Sequence, residues 1–454
     1  MELDMTRGRP AGLIFRFVLP IVAGNVLQQF YNMVDAIIVG RFVGSQALAA
    51  VGSTSTIVFL IIGFMTGMTS GFSVITSQRF GAGDIRGMKR SVGNGAVLSI
   101  LITIFLTIVS TAGMRGLLTL MNTPADIFED AHRYIWIICA GLWANVLYNL
   151  LASFLRSVGN SKVPLYFLAL SAACNVVLDL LFVICFKMGV AGAAWATVIS
   201  QGVSGILCLL YIGKAVPLLH PERDQWRINS VDTRTQISIG IPMALQFSIT
   251  AAGTIIMQSA LNLFGSTAVA AYTAAGKLQS VASQPLASMG QALATYAGQN
   301  SGKGDWGRIR QGVRAAVAMS TAYAVIGGII LVLAAPFGVR FFVSENLDQI
   351  MGYAQTYINI CVLFFIPLGL IFIFRNILQG CGYGFLPMMG GVVELASRLV
   401  AAVIAVRLNS YVGVCMCDAS AWLTAGLFLL GAYWYTMRGI IRKENLKTMR
   451  SVNG

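Results

Sequence analysis

The first long apolar segment carries a polar stripe that could bind a cation or a proton. Asn25, Gln28, Asn32 and Asp35 are spaced by three, four and three residues, with Tyr31 one turn before Asp35. This spacing places them on one face of a helix. An ionisable residue inside a membrane span is a functional candidate by default. The stripe is predicted to face protein or water, with Asp35 as its titrating member. An interhelical hydrogen-bond seam is the alternative, above all for Asn25 and Gln28.

Two later apolar segments supply further oxygen ligands. "LALSAACNVVLDLLFVI" holds Ser171, Asn175 and Asp179 at i, i+4 and i+8, and "GVAGAAWATVISQGVSG" holds Thr197 and Ser200. Carboxylate, amide and hydroxyl oxygens suit a hard cation such as Na⁺. Two neighbouring carboxylates in low dielectric must share a proton or a cation. No Lys or Arg lies within the spans of this half, so the sequence predicts a site for Na⁺ or H⁺.

Long apolar segments must position these residues. The chain has 454 residues, of which 57% are hydrophobic and 11% charged, and its mean hydropathy is +0.76. Soluble proteins carry about 25% charged residues, so a polytopic membrane protein is predicted. A span needs about 20 mostly apolar residues. Twelve candidate spans are centred near residues 26, 64, 103, 143, 174, 201, 250, 287, 323, 364, 397 and 426.

The basic residues predict the topology. The net charge is +14, and with the N-terminus inside, 22 of the 31 Lys and Arg residues fall in inside loops and 6 in outside loops. Lys277, Arg375 and Arg398 complete the count within spans. This bias places both termini in the cytoplasm of a multi-pass cell-membrane protein. The positive charge is therefore explained by topology, and no nucleic-acid partner is predicted.

Three pairs of motifs indicate an internal duplication. "SQRFGAGDIRGMKR" (77–90) corresponds to "GQNSGKGDWGRIR" (298–310) at an offset of 221, and both contain Q-x-x-G-x-G-D. "FVGSQALAAV" (42–51) corresponds to "LFGSTAVAAY" (263–272) at the same offset. "SVGNSKVP" (157–164) corresponds to "GCGYGFLP" (380–387) at an offset of 223. Each half is therefore predicted to carry six spans, as a parallel repeat about an axis along the membrane normal.

The duplication also predicts the domain organisation. A stretch with two prolines and mixed charge separates the halves and is predicted to be a linker. The expected units are an N-lobe over 1–212, a cytoplasmic linker over 213–236 and a C-lobe over 237–454 that ends in a basic cytoplasmic tail.

The polar residues of the second half differ from those of the first. At the repeat offset of 223, Arg398 takes the position of Asn175 and an alanine takes that of Asp179. Glu394 and Arg398 are spaced i, i+4 and are expected to pair, either as a structural pair or along the substrate path. Lys277 and Arg375 either line a cavity or extend toward the membrane interface.

The chain resembles the multidrug and toxic compound extrusion (MATE) family over nearly its whole length. The motifs that carry the resemblance are the paired Q-x-x-G-x-G-D loops, "VDAIIVGRFVGSQALAAVG" (34–52), "RSVGNSKVP" (156–164) and "GVAGAAWATVIS" (189–200). The resemblance implies an all-α integral membrane protein whose twelve transmembrane helices form two six-helix lobes. These lobes are related by pseudo-two-fold symmetry along the membrane normal and form a V around a central cavity.

The resemblance also implies a function. Proteins of this family export organic cations, drugs and other amphipathic compounds by alternating access, against an inward flow of Na⁺ or H⁺. DinF-like and archaeal members carry their coupling residues at positions that correspond here to Asp35, Asn175, Asp179 and Thr197, and a hinge proline that corresponds to Pro20. The NorM-like branch places acids in helices seven and ten, where this chain has none. The chain is therefore expected to lie nearer the DinF-like branch.

The sequence also offers candidate residues for the substrate cavity. They combine amides and aromatic rings, which suit varied aromatic cations: Asn25, Gln28, Tyr31, Asn32, Tyr148 and Asn149. The expected partners are a small amphipathic or cationic substrate and membrane lipid. The chain is expected to act as a monomer, without a cofactor other than the coupling ion.

Three other classes of protein remain as alternatives. A flippase for a lipid-linked or amphipathic glycan is the main one, although its cavity would need more positive charge than Lys277, Arg375 and Arg398 supply. An enzyme is disfavoured, because the two histidines, His132 and His220, lie in loops and neither HExxH nor GxSxG occurs. A channel is disfavoured because duplicated halves with one buried acidic site suit alternating access.

Overall fold

The fold consists of long helices joined by short turns. The computed structural model describes residues 3–340 and 347–452, with side chains over 3–340 and 348–442. Within these ranges the chain is all-helical and contains fourteen α-helices. They are α1 (Pro10–Ile38), α2 (Ser45–Ala82), α3 (Ile85–Leu120), α4 (Phe128–Ala140), α5 (Leu142–Ser157), α6 (Lys162–Asp179), α7 (Val190–Ala215), α8 (Ser230–Asn262), α9 (Ser266–Lys303), α10 (Trp306–Arg340), α11 (Leu347–Leu363), α12 (Phe365–Gly380), α13 (Phe385–Arg407) and α14 (Tyr411–Val452).

Most of these helices are long and apolar enough to cross a membrane. In the described part of the chain nine pass this test alone, and two bent pairs raise the number to eleven. The pairs are α4 with α5, bent by 44°, and α11 with α12, bent by 50°. The twelfth predicted span, near residue 287, coincides with α9. That helix has 38 residues, but it is rich in Ala, Ser, Gln and Gly, and it does not reach the hydropathy of the others.

The chain divides into two compact units. Unit 1 comprises Met1–Asp4 and Leu19–Ser248, and unit 2 comprises Met5–Val18 and Ile249–Gly454. One division falls inside α1, between Val18 and Leu19 and so one residue before Pro20, and another falls inside α8, after Ser248, six residues beyond Pro242. Pro20 and Pro242 are separated by 222 residues, close to the repeat offset. A proline inside a helix removes one backbone hydrogen bond and favours a bend.

The duplicated motifs form matching turns in the two units. Gly83 and Gly304 end α2 and α9 with φ of 73° and 78°, a left-handed conformation that glycine adopts at no steric cost. Asp84 and Asp305 then each accept a hydrogen bond from the backbone N–H three residues further on, at 2.9 and 2.8 Å. The Q-x-x-G-x-G-D motif thus ends one helix and caps the next. Positive φ also recurs at two further motif pairs: Gly44 with Gly265, and Gly159 with Gly382.

Within unit 1, α2 and the first part of α8 pack at backbone distance. A Cβ added to Gly67 would lie 2.6 Å from the Cα of Ala244, and one added to Gly71 would lie 2.5 Å from the Cα of Gly240. Small residues allow such close approach between membrane helices. The basic tail predicted for the C-terminus is described only in part, because the side chains of Lys443, Lys447 and Arg450 lie outside the described residues.

Candidate functional site

Unit 1 brings together two of the predicted ligands. Asp35 lies on α1 and Asp179 is the last residue of α6. Their carboxyl groups are near enough for a hydrogen bond when one of them carries a proton. Oδ1 of Asp35, both carboxylate oxygens of Asp179 and both amide atoms of Asn175 are buried without a hydrogen-bond partner among the described residues. Such groups cost free energy unless something binds them.

Both carboxylates lie beside a π-helical turn. The chain continues from α1 into a π-helix over Val39–Val43 and from α6 into another over Leu180–Cys185, and the two π-helices contact each other. π-Helices are rare and occur frequently at functional sites. A π-helical turn contains one residue more than an α-helical turn and breaks the regular i to i−4 hydrogen bonding. The irregular turn begins directly after Asp179 and four residues after Asp35.

The contact between α6 and α7 shows where the two predicted neutral ligands, Asn175 and Thr197, lie along these helices. The hydroxyl of Ser171 donates to the carbonyl oxygen of Ser200 at 2.8 Å. These helices are antiparallel, since only four residues join the π-helix after α6 to α7. Asn175, four residues beyond Ser171, therefore lies at the level of Thr197, three residues before Ser200. The structure places Thr197 half-buried on α7 beside this level.

A chain of amides extends from the carboxylates. The Gln201 amide donates to the hydroxyl of Tyr31 at 3.5 Å and accepts from Asn145 at 3.0 Å. Asn149 in turn donates to the Asn145 amide oxygen at 3.0 Å. Tyr31 interacts electrostatically with both Asp35 and Asp179 and bonds with Gln28.

The sequence reasoning missed three members of this neighbourhood. Gln201 lies four residues after Thr197, and Asn145 four residues before Asn149, so helical spacing from the predicted residues could have found both. Tyr134 is buried near Asp35, Tyr31 and Asp179. No periodic signal marks Tyr134, because it belongs to a different helix, α4.

The remaining predicted cavity residues have mixed surroundings. Asn25 and Gln28 are half-buried on α1 and Asn32 is exposed. The hydroxyl of Tyr148 donates a hydrogen bond to the carbonyl oxygen of Pro164 at 3.0 Å. This hydrogen bond joins α5 to α6.

Among the residues that the structure describes, no positive side chain forms an ion pair with either aspartate. The ion pairs that the structure describes in unit 1 involve other acids, namely Glu129, Glu222, Asp224 and Asp232. Two unit charges at ~4 Å repel by about 4 kcal/mol at an effective dielectric constant of ~20. A bound proton or a hard cation would remove this repulsion. Two carboxylates, an amide and a hydroxyl are a donor set that fits Na⁺.

Unit 2 contains a buried charged network in place of such a site. Arg398 donates through Nη2 to Glu394 at 2.8 Å and through Nε to Asp418 at 3.1 Å. Arg375 donates to the other oxygen of Glu394 at 3.1 Å. The second oxygen of Asp418 accepts from the hydroxyls of two tyrosines, Tyr272 at 3.1 Å and Tyr357 at 3.3 Å.

The helices make room for this network. Gly253 of α8 lies against the guanidinium, since a Cβ added there would lie 2.6 Å from Nη1 of Arg398 and the guanidinium would have to shift. The i, i+4 pair of Glu394 and Arg398 forms as its spacing predicts. Asp418 was missed, although a lone acid in the apolar run 411–430 is the kind of signal that identified Asp35. Lys277, the other predicted cation, has a partner within the described residues.

Comparisons with known proteins agree on one family. A family model described as MatE matches residues 20–181 and 242–404. The chain is 29% identical over 381 residues to the probable multidrug resistance protein YpnP of Bacillus subtilis, covering 84% of each chain. It is 23% identical to the probable multidrug resistance protein NorM of Thermotoga maritima, covering 96% of this chain and 95% of that one. A FAD transporter of Shewanella oneidensis is 22% identical and covers 88% of each chain.

Solved structures show the same fold. An outward-facing MATE family transporter superposes with a TM-score of 0.91 at 21% identity, covering 97% of this chain and 99% of that one. A MOP superfamily transporter from Pyrococcus furiosus superposes with a TM-score of 0.91 at 22% identity, covering 96% and 98%. The chain therefore shares the fold of these membrane proteins.

Proposed function

The chain belongs to the MatE family, and from this premise we propose that it is a cation-coupled antiporter. It exports organic cations, drugs and other amphipathic small molecules in exchange for Na⁺ or H⁺. The relatives named multidrug resistance proteins support this substrate class. The protein acts as a monomer in the cell membrane with both termini in the cytoplasm, and its functional halves are residues 1–212 and 237–454, joined by the linker 213–236. It catalyses no covalent reaction.

One observation carries the coupling proposal. Asp35, half-buried with its Oδ1 enclosed, and the buried Asp179 form a carboxylate pair to which no cation among the described residues is bonded, and the amide of Asn175, one turn before Asp179, is buried without a partner among those residues. A purely structural polar cluster would satisfy its own donors and acceptors. The unsatisfied oxygens, Oδ1 of Asp35, both carboxylate oxygens of Asp179 and Oδ1 of Asn175, are atoms that a transported cation would bind. Asp35 and Asp179 bind this ion, and Asn175 and Thr197 are its neutral ligands.

Coupling follows from the change in repulsion. Without the ion, the two carboxylates repel and favour a conformation of unit 1 that separates them. When a proton or Na⁺ binds, the repulsion is lost and α1 moves toward α6. The ion can shift the equilibrium between the two conformations only by as much as its affinities for them differ. Substrate release likewise requires that the substrate binds the two conformations with different affinities.

Two features of α1 allow this movement. Pro20 interrupts the backbone hydrogen bonding near its start, and the π-helix Val39–Val43 follows Asp35 at its end. The segment that carries Asn25, Gln28, Tyr31 and Asp35 is therefore a helix between two irregular points. When this segment moves, these side chains change position, and the shape of the substrate cavity that they line in unit 1 changes with them.

The test measures efflux from vesicles that contain the purified protein. An imposed Na⁺ gradient and an imposed pH gradient are applied separately, with ethidium as the substrate. Asp35→Asn is expected to abolish gradient-driven ethidium transport, because a neutral amide cannot exchange a proton or balance Na⁺. Asp126→Asn, an equivalent change at an exposed aspartate, should transport normally. Full transport by a folded Asp35→Asn protein would refute the coupling site, and the gradient that drives the unaltered protein identifies the ion.

A further inference from the structure

The residues ahead of α1 form a short segment, which we call the strap. Between residue 3 and the start of α1 at Pro10 it contains turns and bends but no helix. The boundary between the two compact units falls inside the strap. Its tip, residues 3–4, belongs to unit 1, and its base, residues 5–8, belongs to unit 2. One continuous segment is therefore held by both units.

The base of the strap is bonded to the Q-x-x-G-x-G-D turn of unit 2. Gln299 accepts from the N–H of Met5 at 2.8 Å, and Asn300 donates to the carbonyl oxygen of Met5 at 3.2 Å. Arg308, three residues after the motif, donates to the carbonyl oxygens of Met5 and Gly8 at 3.1 and 2.8 Å. The side chain of Met5 is fully buried. Hydrogen bonds and burial therefore fix the base.

The tip of the strap packs against a turn of unit 1. A Cβ added to Gly159 would lie 2.2 Å from the carbonyl oxygen of Leu3 and 2.6 Å from its backbone nitrogen. The backbone of Leu3 thus lies directly against this glycine. Gly159 belongs to "RSVGNSKVP", a motif that supplies no residue of the proposed ion site. Two motifs without a role in ion binding therefore hold the two ends of the strap.

The two ends of the strap are held differently. The base has four hydrogen bonds to unit 2 and one fully buried side chain, whereas Leu3 at the tip is half-buried. Segments with little buried apolar surface open first. The strap contains no helix, so the tip can leave unit 1 without breaking helical hydrogen bonds. The tip is therefore the end that can release while the base stays bound.

The position of the tip is connected to the state of the ion site. Any change in the relative position of the two units must be absorbed by the strap or must break one of its contacts, because a peptide bond joins tip and base. The described conformation combines a docked tip with carboxyl groups of Asp35 and Asp179 that are within hydrogen-bonding reach. A bound ion favours this proximity of the carboxylates.

We propose that the strap is a latch, whose tip docks on Gly159 in the ion-bound conformation and leaves it when Asp35 and Asp179 separate. This inference rests on the proposed antiport function and adds a conformational device to it. The latch favours the conformation that the coupling ion also favours. Removing the latch should therefore lower the population of that conformation and weaken the apparent affinity for the ion by the same factor.

Two alanine substitutions form a matched test. Gly159→Ala places a Cβ on a residue with φ of 87° and also displaces Leu3. Gly83→Ala causes the same kind of backbone strain at φ of 73°, but its Cβ would meet nothing within 4 Å. The readout is the concentration of the driving ion at half-maximal ethidium efflux from vesicles. Gly159→Ala should need about fivefold more ion, and Gly83→Ala should stay within about twofold of the unaltered protein.

A deletion tests the tip without changing the turn. Removing residues 2–4 eliminates the tip and leaves the base bonded to unit 2, and it should shift the half-maximal ion concentration as much as Gly159→Ala does. Adding Gly159→Ala to the deletion should cause no further shift beyond that of Gly83→Ala, because Leu3 is no longer there to be displaced. Thermal unfolding verifies the fold of each variant. If Gly159→Ala does not fold, the deletion alone decides.

The results that would contradict the latch are distinct from those that would contradict the transport function. Equal shifts in Gly159→Ala and Gly83→Ala, or an unchanged ion dependence after the deletion, would contradict the latch alone. Additive effects of the deletion and Gly159→Ala would do the same, because Gly159 would then act through a contact other than the tip. An unaltered protein without gradient-driven efflux would contradict the proposed function and the latch together.

Discussion

Asp179 of unit 1 and Asp418 of unit 2 are both buried aspartates in membrane-length helices, yet their surroundings are opposite. Asp179 has no accessible surface and Asp418 keeps 8%. Asp418 accepts hydrogen bonds from Arg398, Tyr272 and Tyr357. Both oxygens of Asp179 lack any partner within the described residues. Burial is thus shared, and what differs is the set of donors: the oxygens of Asp418 are satisfied within unit 2, and those of Asp179 are unsatisfied among the described residues.

The same contrast extends to the neighbouring charges. In unit 2 two carboxylates face two guanidiniums, so the network is neutral in itself. In unit 1 the second carboxylate, Asp35, adds negative charge to that of Asp179. A buried ion pair rarely adds stability over a well-packed apolar pair, but removing one partner is costly. The two units should therefore respond in opposite ways when a carboxylate is neutralised.

The largest expected effect is on transport by Asp179→Asn. The amide has the same shape but cannot exchange a proton or neutralise Na⁺, so gradient-driven efflux should fall to the rate of protein-free vesicles. The melting temperature in detergent should stay equal or rise, because the substitution removes carboxylate repulsion. A variant that transports at the normal rate would contradict the role of Asp179, and one that melts far below the unaltered protein would show that this carboxylate is structural.

The corresponding substitution in unit 2, Asp418→Asn, should mainly affect stability. The substitution removes the negative charge that faces Arg398, while the guanidinium stays buried and positively charged. Breaking a buried ion pair in this way costs about 3–5 kcal/mol. The melting temperature should fall, and transport per folded molecule should remain. Thermal unfolding followed by tryptophan fluorescence measures the first, and vesicle efflux normalised to folded protein measures the second. Unchanged melting together with lost transport would assign Asp418 to the transport site.

The coupling ion should stabilise unit 1 through the same carboxylates. A ligand that binds only the folded state adds about 2.7 kcal/mol at 100 times its Kd. If the ion is Na⁺, NaCl should raise the melting temperature above that in choline chloride. If the ion is H⁺, lowering the pH from neutral should raise it, because protonation removes the repulsion. The increase should be absent in Asp35→Asn and present in Asp418→Asn. An equal increase in both variants would place the ion elsewhere.

The sequence was sufficient to predict the helices and the repeat, because both depend on local patterns. Apolar runs predicted the spans, and the duplicated glycines marked turns where φ is positive in both halves. Asp35 and Asp179 are 144 positions apart and no local pattern joins them, so their proximity was predicted from two polar stripes in the same half together with the family resemblance.

The rest of the site depends on packing between helices. Gln201 bonds to Tyr31, Asn145 bonds to Gln201, and Tyr134 lies near both aspartates. These residues come from three different helices, so their proximity required the tertiary structure. The π-helices after Asp35 and Asp179 were also beyond the sequence, because one additional residue in a turn leaves the apolar pattern nearly unchanged. The network around Asp418 was not predicted, although its lone acid in an apolar run is visible in the sequence.

The smallest effect is expected for a third kind of carboxylate, one that is paired but exposed. Glu129 forms an ion pair with Arg115, and their side chains keep 71% and 64% of their surface accessible. Exposed pairs contribute about 0–1 kcal/mol, because water solvates both partners after they separate. Glu129→Gln should therefore shift the melting temperature much less than Asp418→Asn, and high salt should remove the remaining difference. A loss as large as that of Asp418→Asn would mean that pairing, without burial, determines what a carboxylate contributes to the stability of this protein.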